Sequence, residues 1–193
     1  MYYQRAKPFG STREKAAWGK MDKQEKRDTW ARMNKRDKKR LVQEGRSHAI
    51  LVYEDRIPVG WCQYGTQDEL PRIDAGRNYR KVGPPKNAGR LWRITCFFVD
   101  KRYRGRGVAK AGLKAALTSI QEQGGGVVEA YPVVSKKMAA VPEWRWFGTP
   151  SMFEKEGFVE VAPLGTSLVL MRREIPSKSG QRVVAHTRLG APA

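Results

Sequence analysis

Cysteine and histidine are scarce in this chain, two of each in 193 residues. His48 and His186 lie far apart, and Cys62 and Cys96 each sit inside an apolar run. No Cys/His cluster therefore has the spacing of a zinc site. No metal is expected, both histidines read as structural or incidental, and two buried free thiols fit a reducing, cytoplasmic setting. Runs of about eighteen apolar residues are absent too, so neither a transmembrane helix nor a membrane partner is expected. The opening Met1-Tyr-Tyr-Gln-Arg5 has no apolar signal core. Acidic residues are few, 19 Asp and Glu against 38 Lys and Arg, for a net charge of +19. At 40% hydrophobic residues the chain has enough apolar side chains for one globular domain with appendages.

The positive excess is concentrated. Residues 1–50 hold fifteen Lys and Arg against six Asp and Glu, and residues 101–150 hold nine against three. Within 20–46 the basic residues well outnumber the acidic ones. Two meanings stay open for that segment. It is a solvated helix face, or it is a footprint for a polyanion such as RNA or the ribosome.

Pattern and punctuation divide the chain into three parts. Residues 1–19 read as a flexible basic arm, 20–175 as a single domain beginning with a basic helical segment over 20–46, and 176–193 as a tail. Asp22-x-x-Glu25 resembles a capping box, and Asn34 with Gly45 brackets a second helix by the cap rules. Residues 49–53 and 58–64 read as a hairpin around Glu54-Asp55-Arg56. Residues 65–90, rich in Gly and Pro, read as a long loop. A strand over 92–99 is apolar on both faces, as a covered strand should be. A helix over 108–123 puts Ala109, Leu113, Ala116, Leu117 and Ile120 on one face. Gly124-Gly-Gly126 ends it, and a strand over 127–133 follows, parallel to the previous one if the helix is a crossover. Residues 135–149, with Trp144, Trp146 and Phe147, read as a loop against the site. A short helix after Pro150 and a hairpin over 158–161 and 168–172 complete the domain.

The chemistry concentrates in Arg104-Gly105-Arg106-Gly107-Val108-Ala109, between the strand at 92–99 and the helix at 108–123. Two glycines let backbone N–H groups turn inward. The helix N-terminus behind them adds partial positive charge. Arg102, Arg104, Arg106 and Lys110 surround the turn. It is a phosphate cradle, with three competing uses. One is a solvated basic turn or RG-type nucleic-acid element, although such elements usually sit in low-complexity sequence. A second is a Rossmann dinucleotide turn, with Glu129 near the ribose-binding distance. Against that stand Lys110 in place of the third glycine and the five residues between Val99 and Gly105. The third is a coenzyme A pyrophosphate loop.

The stretch Phe97-Phe-Val-Asp-Lys-Arg-Tyr-Arg-Gly-Arg-Gly-Val-Ala109 closely resembles motif A of the GNAT N-acetyltransferase superfamily. Downstream, Ser151-Met-Phe-Glu-Lys-Glu-Gly-Phe158 resembles its motif B. The resemblance covers residues 48–175, and Gly60-Trp-Cys-Gln63 with Glu69-Leu-Pro-Arg-Ile73 is similar to a bacterial subgroup.

It implies a mixed α/β fold, a twisted and mostly antiparallel sheet with a central parallel strand pair flanked by helices. It implies acetyl-CoA as co-substrate and a primary amine of a small molecule or peptide as acceptor, attacking directly in a ternary complex. On it, Arg104, Gly105, Arg106, Gly107, Val108 and Ala109 hold the pyrophosphate. Phe97, Phe98 and Val99 offer main-chain groups to pantetheine and the acetyl oxygen. Glu129 is the expected base, with Tyr131 on the same face. The family's usual acid, a motif-B tyrosine, is replaced by Phe153, which leaves Tyr131, Ser151, water or no acid at all, since a thiolate can leave unassisted. Trp92, Trp144, Trp146 and the 65–90 loop either shape an amine pocket or belong to the core. An RNA-directed protein, acting on aminoacyl-tRNA or binding the ribosome, is the alternative function, and a homodimer stays open.

Overall fold

The structure is a computed structural model, and it describes residues 11–86, 89–134 and 146–177. The chain runs α1 (Thr12–Lys20), α2 (Lys23–Gln43), β1 (His48–Glu54), β2 (Ile57–Thr66), α3 (Arg77–Val82) and β3 (Leu91–Val99). It continues α4 (Val108–Glu122), β4 (Gly126–Ala130), α5 (Pro150–Glu154), β5 (Val159–Leu164) and β6 (Leu168–Ile175). The six strands form one sheet in the order β1-β2-β3-β4-β6-β5. Every pairing is antiparallel except β3 with β4. That is the mixed α/β sheet, with its single parallel pair, that the motifs imply.

The parallel pair follows from α4. Helix α4 buries Leu113, Ala116, Leu117 and Ile120 on the sheet. It must return the chain to the starting end of β3, and only a parallel neighbour accepts that crossover. Gly112 lets it sit low, since a Cβ there would stand 3.2 Å from the Cys62 Cβ. Under it lies the main core, which includes Cys62, Tyr64, Trp92, Ile94, Phe97, Phe153 and Met171. Trp92 is 1% exposed and donates its indole N–H to the Gly125 carbonyl at 2.9 Å, so it belongs to the core. The expected hairpin forms with Asp55 and Arg56 at φ 47° and 70°, the two left-handed residues that a tight type I′ connection needs.

Three expectations change. The stretch read as an arm contains α1, whose Ser11 and Glu14 form a reciprocal capping box. Helix α2 runs unbroken through Asn34, capped by Asp22 and Glu25 as read. Asn34 therefore sits inside a helix and begins none. Of the segment read as a long loop, 65–66 end β2, and the described residues beyond carry a 3-10 turn at Pro71–Ile73 and the six-residue α3. Among the described residues, no helix is long and apolar enough to cross a membrane. Trp144, His186 and the tail beyond 177 lie outside the described residues.

Candidate functional site

The site grows from the end of β3. Beyond Val99, Asp100 accepts hydrogen bonds from the Arg102 guanidinium at 3.0 and 3.2 Å and from its backbone N–H at 2.9 Å. Those bonds hold its carboxyl down at about 2 and fix a one-turn 3-10 segment, Lys101–Tyr103. The chain then turns through Gly105 at φ 78° and Gly107 at φ 82°. No atom lies within 4 Å of where a Cβ would stand on either glycine. Gly107 caps α4 with no side-chain partner. The first amides of a fifteen-residue helix are therefore left for a ligand beside open space. The turn thus presents main-chain N–H donors and the positive end of a helix to open space.

A cleft of about 330 Å³ opens in front of those amides. Its walls include Phe97, Phe98, Val99, Arg104, Gly105, Gly107, Val108 and Ala109, all expected from the sequence. Arg106 is not part of the wall. It lies over the Tyr103 ring at 5.3 Å and reaches Glu54 at 3.9 Å. Tyr103, Lys110, Trp146, Gly148 and Met152 complete the lining. Tyr103, Gly148 and Met152 were missed. Gly148 alone carried a local signal, and its φ of 75° lets the chain pass where a Cβ would meet Met152 at 2.6 Å.

The cleft extends along a split in the sheet. Strands β3 and β4 pair only from Leu91↔Val127 to Ile94↔Ala130. Past Ile94, β3 keeps its β2 partners but has no β4 partner. The β2–β3 register also slips by one residue between Gln63 and Tyr64, which leaves Thr95 as the extra residue. Thr95 is 2% exposed, and its Oγ1 is buried with no hydrogen-bond partner. A buried orphan hydroxyl at a strand split is a place where a polar ligand gains a bond that the protein leaves unmade.

Glu129 sits in a charged line across three neighbouring strands, paired in register with Arg93 on β3 and Arg172 on β6. Its Oε1 accepts from Arg172 Nε at 3.0 Å and Nη2 at 2.8 Å. Its Oε2 accepts from the Tyr79 and Tyr131 hydroxyls, each at 2.8 Å. Arg93 Nε lies 3.7 Å from the same oxygen, while its terminal nitrogens bind Asp74, the Leu70 carbonyl and Tyr79. Glu129 and Arg93 are both fully buried. Burial, reinforced by the Glu129 charge, pushes the Tyr131 hydroxyl well above its usual range and the Tyr79 hydroxyl up to about 12. Both phenols stay protonated at neutral pH. The carboxylate has no opening of its own. Its way out is through the two tyrosines, which line a second cavity of about 280 Å³.

The short stretch Trp146-Phe147-Gly148 contributes to both cavities. Trp146 and Gly148 face the first, and Phe147 faces the second. Phe153 is fully buried between Phe97 and Phe158 at ring distances of 6.0 and 5.2 Å. It is a core residue with nothing to donate. Ser151 is exposed and hydrogen-bonds Thr149 at 3.2 Å. His48 pairs with Glu69 at 2.9 Å, the structural role expected of it.

The model of the acetyltransferase (GNAT) family matches residues 14–148 of this chain. No curated protein matches the sequence significantly. Solved structures that resemble it include a Desulfovibrio desulfuricans protein described as an acetyltransferase of the GNAT family, at 18% identity and a TM-score of 0.48, covering 84% of this chain and 88% of that one. An acetyltransferase from Thermus thermophilus is 17% identical with a TM-score of 0.46, covering 74% and 73%. The ribosomal-protein-S18-alanine N-acetyltransferase of Escherichia coli is 13% identical with a TM-score of 0.45, covering 75% and 80%.

Proposed function

Since the chain belongs to the acetyltransferase (GNAT) family, we propose that it moves an acetyl group from acetyl-CoA to a primary amine of a small molecule or peptide. The observation that carries this is the uncapped α4 N-terminus behind Gly105 and Gly107, opening on a cleft that runs into the split between β3 and β4. The backbone N–H groups of 105–109 receive the diphosphate, and Arg104 and Lys110 add cationic charge. Pantetheine takes the place that a next strand would occupy beside the main chain of Phe97, Phe98 and Val99. Cys62 and Cys96 are buried and free, which suits a cytoplasmic enzyme.

In the transfer, the amine nitrogen bonds to the acetyl carbon, the carbon–sulfur bond breaks, and the thiolate leaves with the electron pair. The amine must shed its proton. Tyr131 and Glu129 act as a relay: Tyr131 Oη takes the proton from the amine as its own passes to Glu129 Oε2, 2.8 Å away. Phe153 has no part in the proton path, and the thiolate takes its proton from water or Ser151.

Calorimetric titration with acetyl-CoA tests the cradle. Gly105→Glu and Gly107→Glu each put bulk and negative charge into it and are expected to abolish measurable binding. Unchanged affinity in both, with circular dichroism showing folded protein, would overturn the reading.

A second reading rests on α2. That helix buries only Asp37 and Leu41 and exposes Lys23, Arg27, Arg32, Lys35, Arg36, Lys39 and Arg40. On it, this face binds RNA or the ribosome, and the acetyl chemistry is directed to aminoacyl-tRNA or plays no part.

A further inference from the structure

Among the described residues, the second cavity, like the first, is lined by two cationic side chains and no acidic one. Its floor is apolar and aromatic, made by Ile73, Phe147, Leu164 and Leu168 with the rings of Tyr79 and Tyr131. Its charged lining, among the described residues, is Arg72 and Arg77, with no acidic side chain. Neither guanidinium has an ion-pair or hydrogen-bond partner among the described residues. Nearby acids are engaged elsewhere: Asp74 holds Arg93 at 2.6 Å and Gln67 at 3.1 Å, and Glu129 holds Arg172 and the tyrosines. Asn78 adds an amide to the rim.

A primary amine in water at neutral pH is an ammonium ion. Two uncompensated guanidinium groups repel an acceptor that is only cationic, such as a polyamine. They attract one that also carries an oxyanion, which a guanidinium grips with paired N–H donors. The apolar floor asks for a hydrocarbon or aromatic body of modest size, given a volume of about 280 Å³. We propose, building on the acetyltransferase reading, that this cavity receives the acceptor and that the acceptor is a primary amine bearing a carboxylate or phosphate on an apolar body. Arg72 and Arg77 hold the oxyanion. The amine then points toward Tyr131 and Phe147, whose chain neighbours Trp146 and Gly148 line the first cleft.

The test is a set of matched amine pairs with acetyl-CoA, scored by release of free thiol. Phenylalanine and leucine are compared with their carboxamides, and phosphoethanolamine with ethanolamine. Spermidine serves as the purely cationic member. Oxyanion-bearing members are expected to show kcat/KM at least about tenfold above their partners, the scale of a well-placed charge contact. Whether carboxylate or phosphate leads identifies the source of the oxyanion. The Arg72→Ala/Arg77→Ala variant is expected to erase that ratio by raising KM, and its acetyl-CoA affinity reports that it is folded. The inference fails if the partners lacking an oxyanion, or spermidine, are turned over as well as the oxyanion set. It also fails if the variant keeps the ratio, or if acetyl-CoA binds and no oxyanion-bearing amine is turned over. Absence of acetyl-CoA binding to the wild type would instead remove the acetyltransferase reading beneath it.

Discussion

A single carboxylate, Glu129, shows how far one residue's role depends on its neighbours. From the sequence it is a lone acid on an apolar strand and a candidate base. In the fold its four closest polar partners are two arginines and two tyrosines. Removing a charge from such a set leaves the others uncompensated in a dry interior. Glu129→Gln is therefore expected to lower stability as well as activity, and it cannot separate the two. Tyr131→Phe can, because it keeps the ring and removes only the hydroxyl. It is expected to lower kcat by about 10²-fold, the usual scale of general acid–base assistance, with acetyl-CoA affinity unchanged. A Tyr131→Phe enzyme with wild-type kcat across pH 6–9 would take the relay out of the mechanism. The charged line Arg93–Glu129–Arg172 had a trace in the sequence: one charge in each of two otherwise apolar strands. Which strands would lie side by side, and so which charges would meet, depended on contacts remote in the chain.

At the scale of elements, the β3–α4–β4 unit was the most legible part, because its periodicity and its glycines agree. An apolar run, two glycines, a helical stripe and a glycine stop each point to the same crossover. The cradle could be read for the same reason, since it is local backbone geometry. Helix α2 was harder. It is polar around most of its surface, so no apolar period marks its length, and Asn34 looked like a boundary. Helix α3 was missed because six residues in a Gly- and Pro-rich segment leave no period to count. The slip that leaves Thr95 unpaired on β3 has no local signature. It follows from how β2 docks, and it leaves a buried, unbonded hydroxyl just past the last β3–β4 pair.

Across the whole molecule, the strand order was the least legible feature. Strand β6 lies between β4 and β5, so the last hairpin closes the sheet through pairings that no short window contains. The net charge of +19 was visible at once, but only the fold shows where it goes. Lys38 illustrates this. Its Nζ is buried without a hydrogen-bond partner and lies 5.3 Å from the Trp61 ring centroid, and burial pulls its ammonium below the usual range. It is part of how α2 docks and offers nothing to a phosphate. Lys35, Arg36 and Lys39 are exposed and are the residues to reverse. If α2 binds RNA, changing these three to Glu should weaken binding and flatten the log–log salt dependence by about one unit per lost phosphate contact. Acetyl-CoA affinity should stay the same. Tight RNA binding near about 150 mM salt that these changes abolish would favour the RNA-directed reading. No binding at low salt would end it.

The central claim is that acetyl-CoA lies across the α4 N-terminus and into the split beside β3. Amide hydrogen exchange, measured with and without acetyl-CoA, reports on both places at once. The account predicts slowed exchange at residues 105–110 and 95–99, with α2 and the β1–β2 hairpin unchanged. Saturating acetyl-CoA that leaves both segments exchanging as in the free protein, or that protects a different region, would contradict it.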